Sequence, residues 1–239
     1  MREGAGARLN CIASKPHTDA TKDTAYTTWT PRGVGAIRTS ANQNGYITTN
    51  RPTRLAGSVG LTVSCRFNIH TWDWGTGTGT GGNRQFWTIW KDGARGSGGI
   101  VEARYLAKSY NYLFNWNQYN HWTDVTNYYS TRLNTWFTET VVFRWGSPTL
   151  MYVDGKLWTP SGGNTAISSQ ATVDLFTIGD TSYNVGAFWQ FAMVWNRPLS
   201  QSEVQQHVAQ PYDILRRSFV LRGPSTVIPA NNGNFFLMF

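Results

Sequence analysis

The run Leu61-Thr62-Val63-Ser64-Cys65-Arg66-Phe67-Asn68-Ile69-His70 alternates without a break. Leu61, Val63, Cys65, Phe67 and Ile69 share one parity, and Thr62, Ser64, Arg66, Asn68 and His70 share the other. A period of two held over the whole run predicts a β-strand with one buried and one polar face, because a helix would repeat its apolar positions every three or four residues. On this reading His70 is a solvated side chain and Cys65 a reduced, buried thiol. Composition carries the inference to the rest of the chain. Charged residues are 14% of the total, well below the roughly 25% of an average soluble domain. Their place is taken by 24 Gly, by hydroxyl and amide residues, and by an aromatic share of 15% that includes 12 Trp. Such residues suit pleated, half-buried surfaces. Helical bundles and coiled coils, which need Ala, Glu, Lys and Leu in quantity, are excluded. A length of 239 residues fits one large β-sandwich or barrel, or two ordinary domains.

Other strand-like runs lie at 85–91, 99–106, 110–116, 136–145, 149–153, 156–158, 175–179 and 187–196, with weaker ones at 8–13, 25–29, 33–40 and 45–49. Asp154-Gly155, between two of these runs, is a two-residue hairpin signal in which both central residues need positive φ. The glycine-threonine run at 75–82 reads as a loop tip; no Gly-Lys-Ser/Thr follows it, so it is not a phosphate loop. One helix is predicted, opened by the capping box Ser200-Gln201-Ser202-Glu203. Leu199 and Val204 stand at the positions of a hydrophobic staple, and Pro211 ends the helix at about Gln210. Residues 1–211 therefore read as one all-β domain and 212–239 as an extended C-terminal arm.

Asn134-Thr135-Trp136, the hairpin Leu150-Met151-Tyr152-Val153-Asp154-Gly155-Lys156-Leu157, Phe176-Thr177-Ile178-Gly179 and the closing Phe191–Val204 segment follow one another in a specific order and spacing. Together with 60–69 and 86–91 upstream, they resemble the concanavalin A-like lectin/glucanase superfamily, in particular laminin-G-like jelly rolls of the phage virion-protein type. The resemblance covers most of residues 30–210. It implies an antiparallel two-sheet jelly-roll sandwich with one short helix, a fold that hosts enzymes, lectins, adhesion modules and virion proteins alike.

Glucanases of that superfamily carry two carboxylates on one strand, and retaining hydrolysis needs them about 5–5.5 Å apart. This chain has four glutamates, Glu3, Glu102, Glu139 and Glu203, none within two or four residues of another carboxylate. The expectation is therefore a protein without enzymatic activity, with a glucanase as an outlying alternative. Calcium needs six to eight oxygen ligands. Asp73, Asp174 and Asp180 are spread too widely for that, and turn or surface roles are expected for them; no metal and no cofactor is expected. Between 110 and 122, aromatic rings interleave with Asn and Gln amides, the residue types that recognise sugars. Tyr110, Tyr112, Phe114 and Trp116, at period two, read as the inner face of a strand. Tyr119, His121 and Trp122, past the alternation, are the candidates for glycan or protein contact.

The net charge is +8, with only Lys15, Lys22, Lys91, Lys108 and Lys156 as lysines and the remaining cations arginines. Arginine favours planar, bidentate contacts, and the positive balance favours an anionic or acidic partner. The cations are scattered, which argues against nucleic acid. No apolar run approaches the ~20 residues of a membrane span, and Met1–Arg8 lacks a secretory h-region, so synthesis in a cytosol is expected. Two cysteines, Cys11 and Cys65, are too few for a metal site. The segment beginning Pro211-Tyr212-Asp213-Ile214-Leu215-Arg216 is similar to tails that follow such domains in phage-encoded proteins. The leading expectation is a bacteriophage virion protein, either a capsid decoration or a head or tail accessory. It would bind the major capsid or tail protein, with a homo-oligomer or a surface glycan as further partners. A free-standing carbohydrate-binding protein is the alternative. The apolar arm would dock on a neighbour through Phe235, Phe236, Leu237 and Phe239, with Arg216, Arg217 and Arg222 at the rim.

Overall fold

The computed structural model describes side chains for residues 59–70, 86–89, 132–158, 176–178 and 186–211, and the backbone alone for further strands. The described strands form two antiparallel sheets. One has the order β1 (Arg8–Leu9), β2 (Ala20–Lys22), β5 (Ile47–Thr49), β14 (Val173–Ile178), β7 (Asn83–Lys91), β8 (Gly99–Leu106), β9 (Asn111–Trp116), β10 (Tyr119–Asp124). The other has the order β13 (Lys156–Trp158), β12 (Leu150–Val153), β11 (Trp136–Arg144), β6 (Gly60–Thr71), β15 (Gly186–Trp195), β4 (Ile37–Thr39), β3 (Thr27–Trp29). Another strand, β16 (Phe235–Met238), pairs with β15, and the one helix among the described residues, α1 (Gln201–Ala209), follows β15. This is an all-β sandwich.

Strand β6 lies between β11 and β15, and its alternation decides what fills the interior. Leu61, Val63, Cys65, Phe67 and Ile69 are each at most 1% exposed, as their parity predicts. Phe67 is the hub: its ring centroid lies 4.6 Å from Phe137, 4.8 Å from Trp189 and 5.4 Å from Phe86 of the opposite sheet. Each such fully buried side chain contributes roughly 1.5–3 kcal/mol.

The opposite face of β6 departs from expectation. Thr62 and Ser64, the polar residues of the pattern, are fully buried. The reason lies in β15. Its pairing with β6 slips between Trp189 and Phe191, so Gln190 is an extra residue. Trp189 stands opposite Phe67, yet Phe191 stands opposite Arg66 and Met193 opposite Ser64. The bulge flips the parity, as bulges do. Phe191, Met193 and Trp195 are thereby delivered to the outer face, where they form a second apolar cluster with Val142, Tyr152, Leu199 and Val204. Helix α1 lies over that cluster. His70, expected in solvent, is only half exposed, with its ring 4.8 Å from that of Phe188.

Local signals in the sequence hold at the hairpin and the helix. Asp154 and Gly155 have φ of 48° and 77°. The Asp154 carboxylate also accepts the Thr138 amide at 2.8 Å, clasping the turn to β11. Gly155 is buried beneath the helix, and a Cβ there would stand 3.5 Å from the Gln205 Cα. At Gly60, φ is 145° and a Cβ would overlap the Phe143 carbonyl, so that position tolerates no side chain. Ser200 Oγ accepts the Glu203 amide at 3.3 Å, while the Glu203 carboxylate accepts the Ser200 amide at 2.8 Å.

The C-terminal arm is corrected. Phe235–Met238 forms β16 and pairs with Val194–Phe191 of its own chain, so the division at residue 211 does not separate this strand from the sheet. The physical reason is the short length of β4, which pairs only with Ala187–Trp189. The rest of that β15 edge presents unpaired amides and carbonyls that an extended apolar segment satisfies. Substituting Ser200 by Ala should cost about 0.5–2 kcal/mol through loss of the cap, measured by denaturant unfolding. An unchanged midpoint would mean that the capping bond carries no stability.

Candidate functional site

Where β15 runs into α1, the chain makes a tight turn anchored from below. The Thr62 hydroxyl donates to the Arg197 carbonyl and accepts the Leu199 amide, each at 2.9 Å. One buried hydroxyl therefore holds both sides of Pro198. The helix then begins at its cap, with Glu203, Gln206, His207 and Gln210 spaced three, one and three residues apart, which places them on one helical face.

Beside this face is a cavity of about 280 Å³ lined by Trp195, Arg197, Leu199, Glu203, Gln206, His207 and Gln210. Arg197 Nη2 donates to Glu203 Oε1 at 2.7 Å. The other Glu203 oxygen is taken by the Ser200 amide. The Arg197 hydrogen bond, with the bonds from Ser200 adding to it, lowers the Glu203 carboxyl to about 2 against the opposing effect of burial. Both partners of the ion pair are well exposed, so its contribution to stability is small.

His207 is 4% exposed. Its Nε2 lies 3.0 Å from Ser64 Oγ, which lies 2.8 Å from Thr140 Oγ1. Its ring meets Trp195 edge to face at 4.9 Å and Phe191 at 5.4 Å. Burial pushes its pKa down to about 4, so the ring is neutral at pH 7. Its Nδ1 is buried with no hydrogen-bond partner. The Gln206 and Gln210 side chains are exposed.

Two further ionisable groups, Glu139 and Cys65, lie in the interior. Glu139 is 1% exposed and pairs across the ladder with Cys65. Burial, with the Glu139 charge adding to it, raises the Cys65 thiol well above its ordinary value, which leaves it protonated and unreactive at neutral pH. No group of three or more His, Cys, Asp or Glu among the described residues could hold a metal ion. No described helix is long and apolar enough to cross a membrane.

The residues singled out from sequence do not converge on this cleft. Tyr119, His121 and Trp122 lie in β10, an edge strand of the other sheet, where they pair with Trp116, Phe114 and Leu113. They belong to a strand, where the sequence pattern ended one at Trp116; their side chains lie outside the described residues. Phe235, Phe236 and Leu237 lie in β16, while Phe239, Arg216, Arg217 and Arg222 lie outside the described residues, as do Asp73, Asp180 and Cys11. Asp174 lies within β14, at a shift in its pairing with β7. The cleft residues were missed because Glu203 was assigned wholly to the cap and His207 to no role. The 203, 206, 207, 210 spacing was the available signal.

No protein-family model matches the chain, and no curated protein matches it. Solved structures do. A Trypanosoma rangeli sialidase superposes with a TM-score of 0.58 at 13% identity, over 88% of this chain and 34% of that one. The same sialidase in complex with sialic acid gives 0.57 at 12% identity, over 88% and 34%. The botulinum neurotoxin type G receptor binding domain gives 0.53 at 12% identity, over 86% of this chain and 51% of that one. The chain thus spans about a third of the sialidases' length, and at these identities the likeness establishes a shared β-sandwich fold alone. It also corrects the expectation of a protein without enzymatic activity. Most of this chain superposes on part of an enzyme, so the spacing of its four glutamates does not exclude catalysis.

The buried His207 gives a pH signature. Folded, it protonates near pH 4; unfolded, near 6.5. Between these values the unfolded chain binds more protons, so this contribution is fully present above about pH 6.5 and is lost as the pH falls toward 4. The shift corresponds to roughly 3 kcal/mol. Denaturant unfolding at pH 7, 5.5 and 4.5 should show this slope, and His207→Gln should flatten it. An identical slope in the variant would assign the pH dependence to other groups.

Proposed function

We propose that this chain is a carbohydrate- or receptor-binding β-sandwich module of the concanavalin A-like, lectin type, with the β15–α1 cleft as its contact site. The observation that carries the reading is the cleft lining. An indole, two exposed amides, a held guanidinium and a neutral imidazole surround about 280 Å³. Saccharides are bound by such mixtures of flat apolar surface and a few placed polar groups, and the volume is near the lower end of small-ligand pockets. The neighbours lend support as fold analogies: one is a sialidase in complex with sialic acid, another a receptor binding domain. Tyr119, His121 and Trp122 of the edge strand β10 are proposed as a second contact surface, for glycan or protein.

Glycan-array screening followed by calorimetry tests this. Replacing Gln206 and Gln210 by Ala should weaken binding about tenfold, because two hydrogen bonds of ~0.5–1.5 kcal/mol each are lost from exposed positions that do not support the fold. Full affinity in a folded double variant would move the contact away from the cleft, and Tyr119→Ala with Trp122→Ala then tests β10.

We further infer that the module belongs to a bacteriophage virion, as a capsid decoration or a head- or tail-attached accessory protein. The segment 211–216, similar to the tails of phage-encoded domains, supports this reading. Mass spectrometry of purified particles should find the chain at stoichiometric level. Its confinement to the soluble fraction of the lysate would favour the free-standing lectin.

A further inference from the structure

We propose that the β15–α1 cleft selects uncharged, hydroxyl-rich saccharides over acidic ones, although the chain as a whole carries +8. The inference rests on the cleft being a saccharide site and concerns which class of sugar enters it. Two charged side chains line the cleft, Arg197 and Glu203, and they are bonded to each other at 2.7 Å. Their charges cancel locally. The compensation is built in, because the Glu203 carboxylate has both oxygens engaged, one by Arg197 and one by the Ser200 amide at the helix cap. It cannot turn away without losing its bond from the Ser200 amide, one of the two bonds of the capping box. Arg197 donates only through Nη2 among the described residues, so the remaining edge of its guanidinium is held in place to donate to a ligand oxygen. A carboxylate or sulfate at that edge would meet the Glu203 charge at close range. A hydroxyl accepts from Arg197 without that repulsion.

The buried wall points the same way. His207 is neutral, and its Nδ1 is the polar atom of the lining that is buried without a partner. Whether Nε2 donates to Ser64 or accepts from it, Nδ1 is left as the complementary acceptor or donor. A hydroxyl serves either state, whereas an ionised acid only accepts. The Gln206 and Gln210 amides also offer both donors and acceptors, and these exposed side chains form the adjustable part of the wall. Net charge over the whole surface governs long-range attraction, while close selection follows the charges within the site.

The test is a titration of the full chain against neutral hexose and N-acetylhexosamine oligosaccharides and against their sialylated, uronate and sulfated counterparts. Neutral members should bind up to about fivefold more tightly, the worth of one exposed charge interaction. Glu203→Gln keeps the capping box, since Gln also serves at that position, but uncovers the arginine charge. It should bring the acidic members level with the neutral ones or ahead of them. Selective ¹⁵N labelling of histidine should show the His207 Nδ1 resonance moving on saturation with the best neutral glycan. Preference of the native chain for acidic glycans would overturn the inference and leave saccharide binding standing. Binding of neutral glycans with no change at His207 and no response to Glu203→Gln would also overturn it. Absence of binding to every saccharide would overturn the saccharide reading, and this inference with it.

Discussion

The outer layer of the protein depends on the hydroxyls of β6. Thr62 holds the Arg197–Leu199 turn by two bonds of 2.9 Å, and Ser64 lies 3.0 Å from His207 three helical positions beyond Val204. A buried hydroxyl without partners would cost free energy, whereas a paired one fixes position as well as satisfying itself. Here both hydroxyls meet groups from the β15–α1 connection. The helix is therefore located by directional bonds as well as by contact with Val142, Tyr152 and the aromatic residues of β15. The cleft is a consequence of that placement, since its walls are the helix face and the end of the strand.

The same arrangement separates two electrostatic environments a few residues apart. His207 lies in the apolar layer and is kept neutral by desolvation, with its pKa lowered to about 4. Glu203, one turn earlier, is exposed and is kept ionised by Arg197 and the Ser200 amide. A neutral ring and a compensated ion pair on one face give a site of low net charge within a basic protein. The β-sandwich supplies the platform, and the bulge at Gln190 turns Trp195 outward to form the cleft wall. Without that extra residue the side chains after Trp189 would keep its parity, and the outer cluster would lose Phe191, Met193 and Trp195.

Much of this was legible locally. The alternation of 61–70 gave the parity of β6, Asp154-Gly155 marked a hairpin, and Ser200 with Glu203 marked a helix start. Each is a short-range pattern whose physical cause lies within a few residues. Strands β2, β10 and β16 were missed for the opposite reason: Ala20–Lys22, Tyr119–Asp124 and Phe235–Met238 have weak or absent alternation and exist through pairing with partners elsewhere. The cleft was missed for a related reason. His207 is 143 residues from Ser64, and the helical spacing of 203, 206, 207 and 210 says that these residues share a face without saying what the face meets.

The sequence by itself determined the parity of β6, the all-β class, the hairpin at Asp154-Gly155 and the helix that starts at Ser200, because backbone sterics and nearest-neighbour hydrogen bonds act over short distances. Tertiary structure alone decided that Thr62 and Ser64 are buried, that Glu139 lies in the interior beside Cys65, and that the last strand returns to β15. It also decided that a histidine and a charge-compensated ion pair meet in one cleft. Periodicity distinguishes the two faces of a strand, but solvent exposure depends on which distant segment covers each face. That is set by the register of long-range pairing, where a single bulged residue reverses the outcome.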